Sequence, residues 1–143
     1  MTFARSAAAL ASAAAALSLA ACGSADTPGA TPDPAVVAEG KQIFRYDTFG
    51  DESKWTDTLR MHEVIAAAVD PLTALSVGLK VDAEALPPAV VNGIRDGSID
   101  LASPDTTVAL LELDAVIGLR GTVEAVNGRK TLTRVGVTCA LCH

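Results

Sequence analysis

Cys139-Ala140-Leu141-Cys142-His143 sets two thiols three residues apart, with an imidazole directly after the second. Two thiols at that spacing can add to the two vinyl groups of a porphyrin, and the following histidine then falls under the iron. This is the attachment signature of c-type haem. Cys139 and Cys142 are the candidate tethers, and His143 is the candidate proximal iron ligand. Two other chemistries use the same residue types. A zinc site would draw on Cys139, Cys142 and His143 for three ligands and needs a fourth; outside the motif the remaining histidine is His62. A redox CxxC of the thioredoxin kind should open a helix within a βαβ pattern, and no residues follow His143 to form one. Met61 and His62 are the other residues able to supply a sixth iron ligand. A lone His or Met on a helix is more often packing or surface, so the sixth position stays open.

The front of the chain bears on the same chemistry. Arg5 is the one charged side chain among the first 25 residues, and an Ala/Leu-rich run from Ala7 to Ala20 follows it. A short positive stretch, an apolar run and small residues at a cut site describe an export signal rather than a spanning helix. Leu19-Ala20-Ala21-Cys22 resembles a bacterial lipobox. That likeness implies a lipoprotein signal peptide over 1–21, cleavage before Cys22, lipid on its thiol and a membrane anchor. A diacylglyceryl group plus an N-acyl chain supplies the two or more acyl chains that firm anchoring needs. An ordinary signal peptide with an incidental Cys is the alternative. Either reading exports the protein, and haem c is attached outside the cytoplasm in bacteria. Both ends of the chain therefore point to the periplasmic side of the envelope.

The cysteine count agrees. Of three cysteines, one is assigned to lipid and two to haem, which leaves no disulfide framework. The formal net charge is −6, and loss of Arg5 with the leader makes it more negative. Phosphate binding needs a basic patch, so a nucleic-acid partner is excluded as an expectation. An acidic surface suits a basic periplasmic redox partner, although solubility alone explains it.

The elements that must position the motif can be read in outline. Residues 22–34 are small, polar and rich in Pro and Gly, and read as a flexible tether. Asp33-Pro34 is a helix start, predicting a helix over 34–45 with Val36, Val37, Ile43 and Phe44 buried. Phe44, Tyr46, Phe49 and Trp55 form an aromatic patch expected to nucleate the core. Asp47, Asp51, Glu52 and Asp57 beside it read as turn and cap residues rather than acid/base catalysts. A second helix is predicted over 56–69 from Leu59, His62, Val64, Ile65 and Val69, ended by Asp70-Pro71. Pro71 opens a short helix closed by Gly78. Pro87-Pro88 and Gly93 bracket another, and Ser103-Pro104-Asp105 caps a helix reaching Glu112. Ala115–Val126 and Arg129–Val137 flank Asn127-Gly128, the strongest short hairpin signal. A two-residue loop predicts that Val123 faces Leu132 and Arg120 faces Val135. The second strand leads directly into Thr138-Cys139.

Glu39-Gly40-Lys41-Gln42-Ile43-Phe44 resembles the first helix of cytochrome c domains. The longer strings GKQIFRYDTFGDESKW, TALSVGLKVDAEALP, TTVALLELDAVIGL and VGVTCALCH are similar to exported bacterial cytochrome c domain proteins, distantly like dihaem cytochrome c peroxidases. The resemblance covers 35–143 and carries over Cys139, Cys142 and His143. It implies an exported c-type cytochrome that holds haem c covalently for electron transfer, to which the lipobox likeness at Cys22 adds a lipid anchor. It departs from simple cytochromes in the length between Phe44 and Cys139, and from dihaem peroxidases in having one CxxCH. In that family the chain continues past the motif, so residues 35–143 are expected to be the N-terminal part of a cytochrome c-like domain whose remainder is missing. The alternatives are the front part of a peroxidase-like enzyme and a haem-free envelope lipoprotein. The expected fold is α+β, mainly α, with several short helices and then a β-hairpin leading into the motif.

Overall fold

The computed structural model describes residues 31–142; Cys22, His143, the leader and most of the expected tether lie outside them. Four of the described helices start at a proline, which fits the first helical position because its missing N–H is not needed there. α1 (Pro34–Tyr46) begins with Asp33 accepting a hydrogen bond from the Ala35 N–H at 2.9 Å. α3 (Pro71–Ser76) begins with Asp70 accepting from the Thr73 N–H at 2.9 Å. α5 (Pro104–Glu112) follows Ser103, which fills the cap position without a side-chain hydrogen bond. Between them lie α2 (Met61–Ala68) and α4 (Pro88–Asp96). α4 runs through Gly93 and stops at Gly97, three residues past Asn92-Gly93-Ile94. Gly93 is buried there, so close to Ile99 that it serves as a contact point rather than a stop.

The strands form two antiparallel pairs, and the fold is α+β. β1 (Lys80–Val81) pairs with β2 (Val116–Ile117), and β3 (Leu119–Val126) pairs with β4 (Arg129–Val137). Asn127 and Gly128 take φ of 52° and 78°, as a type I′ turn requires. Val126 pairs with Arg129 and Val123 with Leu132. Beyond that point the register slips by one residue, and Arg120 faces Gly136 rather than Val135. Thr133 is the extra residue; its hydroxyl donates to the Thr122 carbonyl at 3.2 Å and satisfies the interrupted ladder.

The predicted second helix is cut in two. Lys54–Thr58 forms a π-type turn, closed by the Leu59 N–H on the Lys54 carbonyl at 3.0 Å. Arg60 then turns left-handed, with φ of 53°, before α2 begins. The cause is local competition. The Thr56 hydroxyl is committed to β4, and a side chain bonding to backbone elsewhere pulls its own segment out of regular helix.

The core is aliphatic. Ile65, Val108, Leu110, Leu111, Ala115, Val116, Leu132 and Val135 pack between α2, α5 and the hairpin. The aromatic patch does not nucleate it: Trp55 reaches its edge, while Phe44 and Phe49 are exposed. The guanidinium groups of Arg45 and Arg120 lie 5.4 and 5.5 Å from the Tyr46 ring centre. The expected buried face of α1 is also reversed. Val36, Val37, Ile43 and Phe44 are exposed, and Arg45 is buried. Polar anchoring turns the helix: Arg45 pairs with Asp82 at 2.8 Å, and Lys41 reaches Glu84.

Candidate cofactor-attachment site

β4 delivers the Cys139–Cys142 turn, and both of its edges are fixed. One edge pairs with β3. The other is latched by the segment between α1 and α2. The Phe49 N–H donates to the Val137 carbonyl at 3.2 Å, and Asp51 Oδ1 accepts the Val137 N–H at 3.2 Å. Thr56 Oγ1 accepts the Val135 N–H at 3.0 Å and donates to the Val135 carbonyl at 3.2 Å, standing in for a missing strand residue. Thr48 forms an isolated bridge with Thr138. Asp51 Oδ2 takes the Trp55 indole N–H at 2.6 Å, and Glu52 takes the Thr48 hydroxyl. Asp51 and Glu52 therefore work as structural acceptors, in line with their reading as turn residues. Gly136 permits the close approach: a Cβ there would lie 2.9 Å from Thr48 Cγ2 and from Glu52 Cγ.

Thr138 is fully buried, and its N–H donates to the Gly118 carbonyl at 3.0 Å. The chain then enters a 3-10 turn, Cys139–Leu141, closed by the Leu141 N–H on the Thr138 carbonyl at 3.1 Å. Ala140 is buried beneath it and pins the turn. Gly118, which separates β2 from β3, carries the tightest contact. Its φ is +93°, and a Cβ built on it would sit 2.5 Å from the Leu141 Cα. The reading of Ala115–Val126 as one strand missed this break, although a lone Gly inside an apolar run is the available sign of close backbone approach. α1 packs against the motif turn from another side, which makes the Arg45–Asp82 clamp part of the support. Burial pushes the Asp82 carboxyl up, but hydrogen bonds from Arg45 and the Glu84 N–H, with the charges of Arg45 and Lys41, more than offset this. The carboxyl lies below its ordinary range.

On this platform Cys139 is half-buried, Cys142 is exposed, and both thiols are free. Cys142 and Leu141 open onto a cleft whose other walls are Val77, Leu79, Lys80 and Ile117. The pleat explains those walls. Lys80 pairs with Ile117 and Val81 with Val116. Val116 and Val81 pack into the core, so the neighbouring pair turns outward toward the motif. Met61 and His62 start α2, which packs on α5, β4 and the π turn. Met61 lies against the aliphatic core, and His62 has a buried Nδ1 without a protein partner. His143, which would carry the iron, lies outside the described residues.

Among the described residues no group of three or more His, Cys, Asp or Glu side chains is placed to hold a metal ion, and no helix is long and apolar enough to cross a membrane. The chain matches no protein-family model, no curated protein and no solved structure.

Proposed function

We propose that this chain is an exported, lipid-anchored c-type cytochrome that holds haem covalently through Cys139 and Cys142 and passes electrons to a periplasmic partner. The observation that carries the reading is the presentation of the CxxC pair: two free thiols on a braced turn, one exposed and one half-buried, beside a cleft lined in part by Leu79, Ile117 and Leu141. A structural thiol pair would be inert and buried. The thiols fit the group, since attachment needs two free, reachable sulfurs at this spacing. Each thiol S–H adds across one vinyl C=C, forming a C–S and a C–H bond, with no leaving group and no oxidant. Bound haem would supply a one-electron iron couple. The protein's part is to hold the tethers still and to set solvent access and local charge at the site. β4, Thr138 and Gly118 do the first. His143 is the proximal ligand in this reading, and export places the chain where haem c is attached.

The test is expression with a cytochrome c maturation apparatus, followed by denaturing electrophoresis and haem staining. The wild-type product should keep its haem, and Cys139→Ser or Cys142→Ser should weaken or abolish retention. Folded, exported protein without haem stain would overturn the reading.

A further inference from the structure

The two edges of the β3–β4 hairpin differ. The outer edge of β4 is closed by Phe49, Asp51 and Thr56. β3 belongs to a two-stranded sheet, and among the described residues no backbone group bonds to its other edge. The turn determines which groups lie there. Val126 and Arg129 flank a two-residue loop and so exchange both backbone hydrogen bonds, after which bonded and unbonded pairs alternate. Thr122 and Glu124 then aim their backbone groups at β4, where the Thr122 carbonyl takes the Thr133 hydroxyl. Gly121, Val123 and Ala125 aim theirs outward. An eight-residue strand without proline, open along one edge, is a template for another strand. Gly121 and Val123 turn their other face to the core. The alternate residues Arg120, Thr122 and Glu124 therefore share the opposite face, on which Thr122 and Glu124 are exposed.

We propose that β3 pairs antiparallel with β3 of a second copy of this chain, centred on Thr122. Such a pairing about a two-fold axis is self-complementary. The outward backbone groups admit only registers that set odd residues against odd residues. Centring on Thr122 places Arg120 directly opposite Glu124 of the second copy, and Glu124 opposite its Arg120. Gly121 and the second copy's Val123 then exchange the backbone bonds. Centring on Arg120 or on Glu124 would bring like charges face to face, which destabilises a sheet. Centring on Gly121 or Val123 leaves no ion pair. Charge therefore selects one register. Glu124 takes no part in the ion pairs among the described residues. Arg120 meets Asp114 through Nε at 3.3 Å, which leaves both Nη nitrogens for a second carboxylate. One strand edge is small beside the about 1,200–2,000 Å² of a stable interface, so the association is weak in free solution. Copies held on one membrane by the proposed Cys22 anchor meet at a higher effective concentration. The pairing itself does not depend on haem attachment.

The experiment uses the whole mature chain, residues 22–143, carrying Cys22→Ser, Cys139→Ser and Cys142→Ser, so that an introduced cysteine is its one thiol. Thr122→Cys and Glu124→Cys are each oxidised mildly and run on non-reducing gels. Thr122→Cys should form a linked dimer several-fold faster. Opposed residues of an unbonded pair lie about 4.5 Å apart at Cα, within disulfide reach, whereas Glu124 stands four residues out of line with its own copy. Sedimentation of the thiol-free chain over a concentration series should show association. Glu124→Lys should weaken it roughly tenfold with an unchanged circular dichroism spectrum, and Arg120→Glu with Glu124→Arg should restore it. Equal trapping at the two positions would mean random collision and overturn the pairing. So would a thiol-free chain that stays monomeric throughout, or association indifferent to Glu124→Lys. Should Arg120→Glu cost the fold through its Asp114 contact, the trapping rates and Glu124→Lys decide. Haem stain of the wild-type chain is read separately, so failure of the pairing leaves the attachment reading standing.

Discussion

Replacing Gly118 with Ala should loosen the motif turn more than any other single methyl group in the hairpin. Two costs add there. The backbone sits at φ of +93°, which a residue with a Cβ adopts at a cost of about 1–2 kcal/mol. The new Cβ would also lie 2.5 Å from the Leu141 Cα and 2.9 Å from the Leu141 N. Those are backbone atoms, so no rotamer change relieves the collision, and overpacking of that kind costs about 1–3 kcal/mol. The sum is about 2–5 kcal/mol, or a fall in Tm of roughly 8–20 °C for a domain of this size. Gly128 is the control: its φ is +78°, and a Cβ there meets nothing within 4 Å. Gly128→Ala should show the conformational cost alone. Urea titrations of both variants, followed by circular dichroism, measure the difference, which reports the Leu141 contact. Haem stain after co-expression with the maturation apparatus should fall in Gly118→Ala and hold in Gly128→Ala. Equal stability losses in the two variants would refute the claim that the motif turn rests on Gly118.

Other positions test the supports around the turn. Thr56→Val keeps the shape and removes the oxygen that serves both backbone groups of Val135, so it should cost about 2 kcal/mol in a urea titration; Thr56→Ser should recover most of it. Asp82 has a depressed pKa, so its contribution is fully present above the ordinary carboxylate range, about pH 4, and is lost as pH falls through its folded value. Asp82→Asn should therefore lower Tm at pH 7, and Tm measured from pH 7 down to about 2 should fall less steeply than in the wild type; a wild-type acid limb in the variant would contradict the clamp. Mass spectrometry of the mature N-terminus should find lipid on Cys22, and Cys22→Ser should release the protein from membranes; an unmodified Cys22 in a soluble product would leave simple secretion.

What the sequence disclosed was mostly punctuation. Pro after Asp or Ser marked three helix starts, and Asn-Gly fixed the hairpin turn and the first half of its register, because these residues act through their own φ preferences. What it concealed depends on partners far along the chain. The Thr133 bulge shifts Arg120 from Val135 to Gly136, and nothing in the alternation of β3 or β4 encodes the extra residue. α1 reads as an apolar stripe, yet Arg45 faces inward because Asp82, 37 residues later, holds it there. The aromatic patch looked like a core by content alone, but Tyr46 is engaged by two arginines and Phe49 lies on the surface. At the site, the thiols were legible from spacing. The platform of Asp51, Thr56 and Gly118 was not, since each acts on a strand or turn remote from it.

The latch on β4 also sets an order of events. Thr56 meets Val135 across 79 residues of chain, and Asp51 meets Val137 across 86. Contacts that distant require a large loop to close before they return any stabilisation, and such topologies fold slowly. During synthesis the latch residues emerge well before the strand they grip. Until that strand arrives, Thr56 and Asp51 have nothing to hold, and once the hairpin forms, its outer edge stays open until they dock. The Cys139–Cys142 turn therefore passes through an interval in which its strand is paired on one side only. Variants that weaken the latch would lengthen that interval, and an unpaired strand edge is a template for association with other chains.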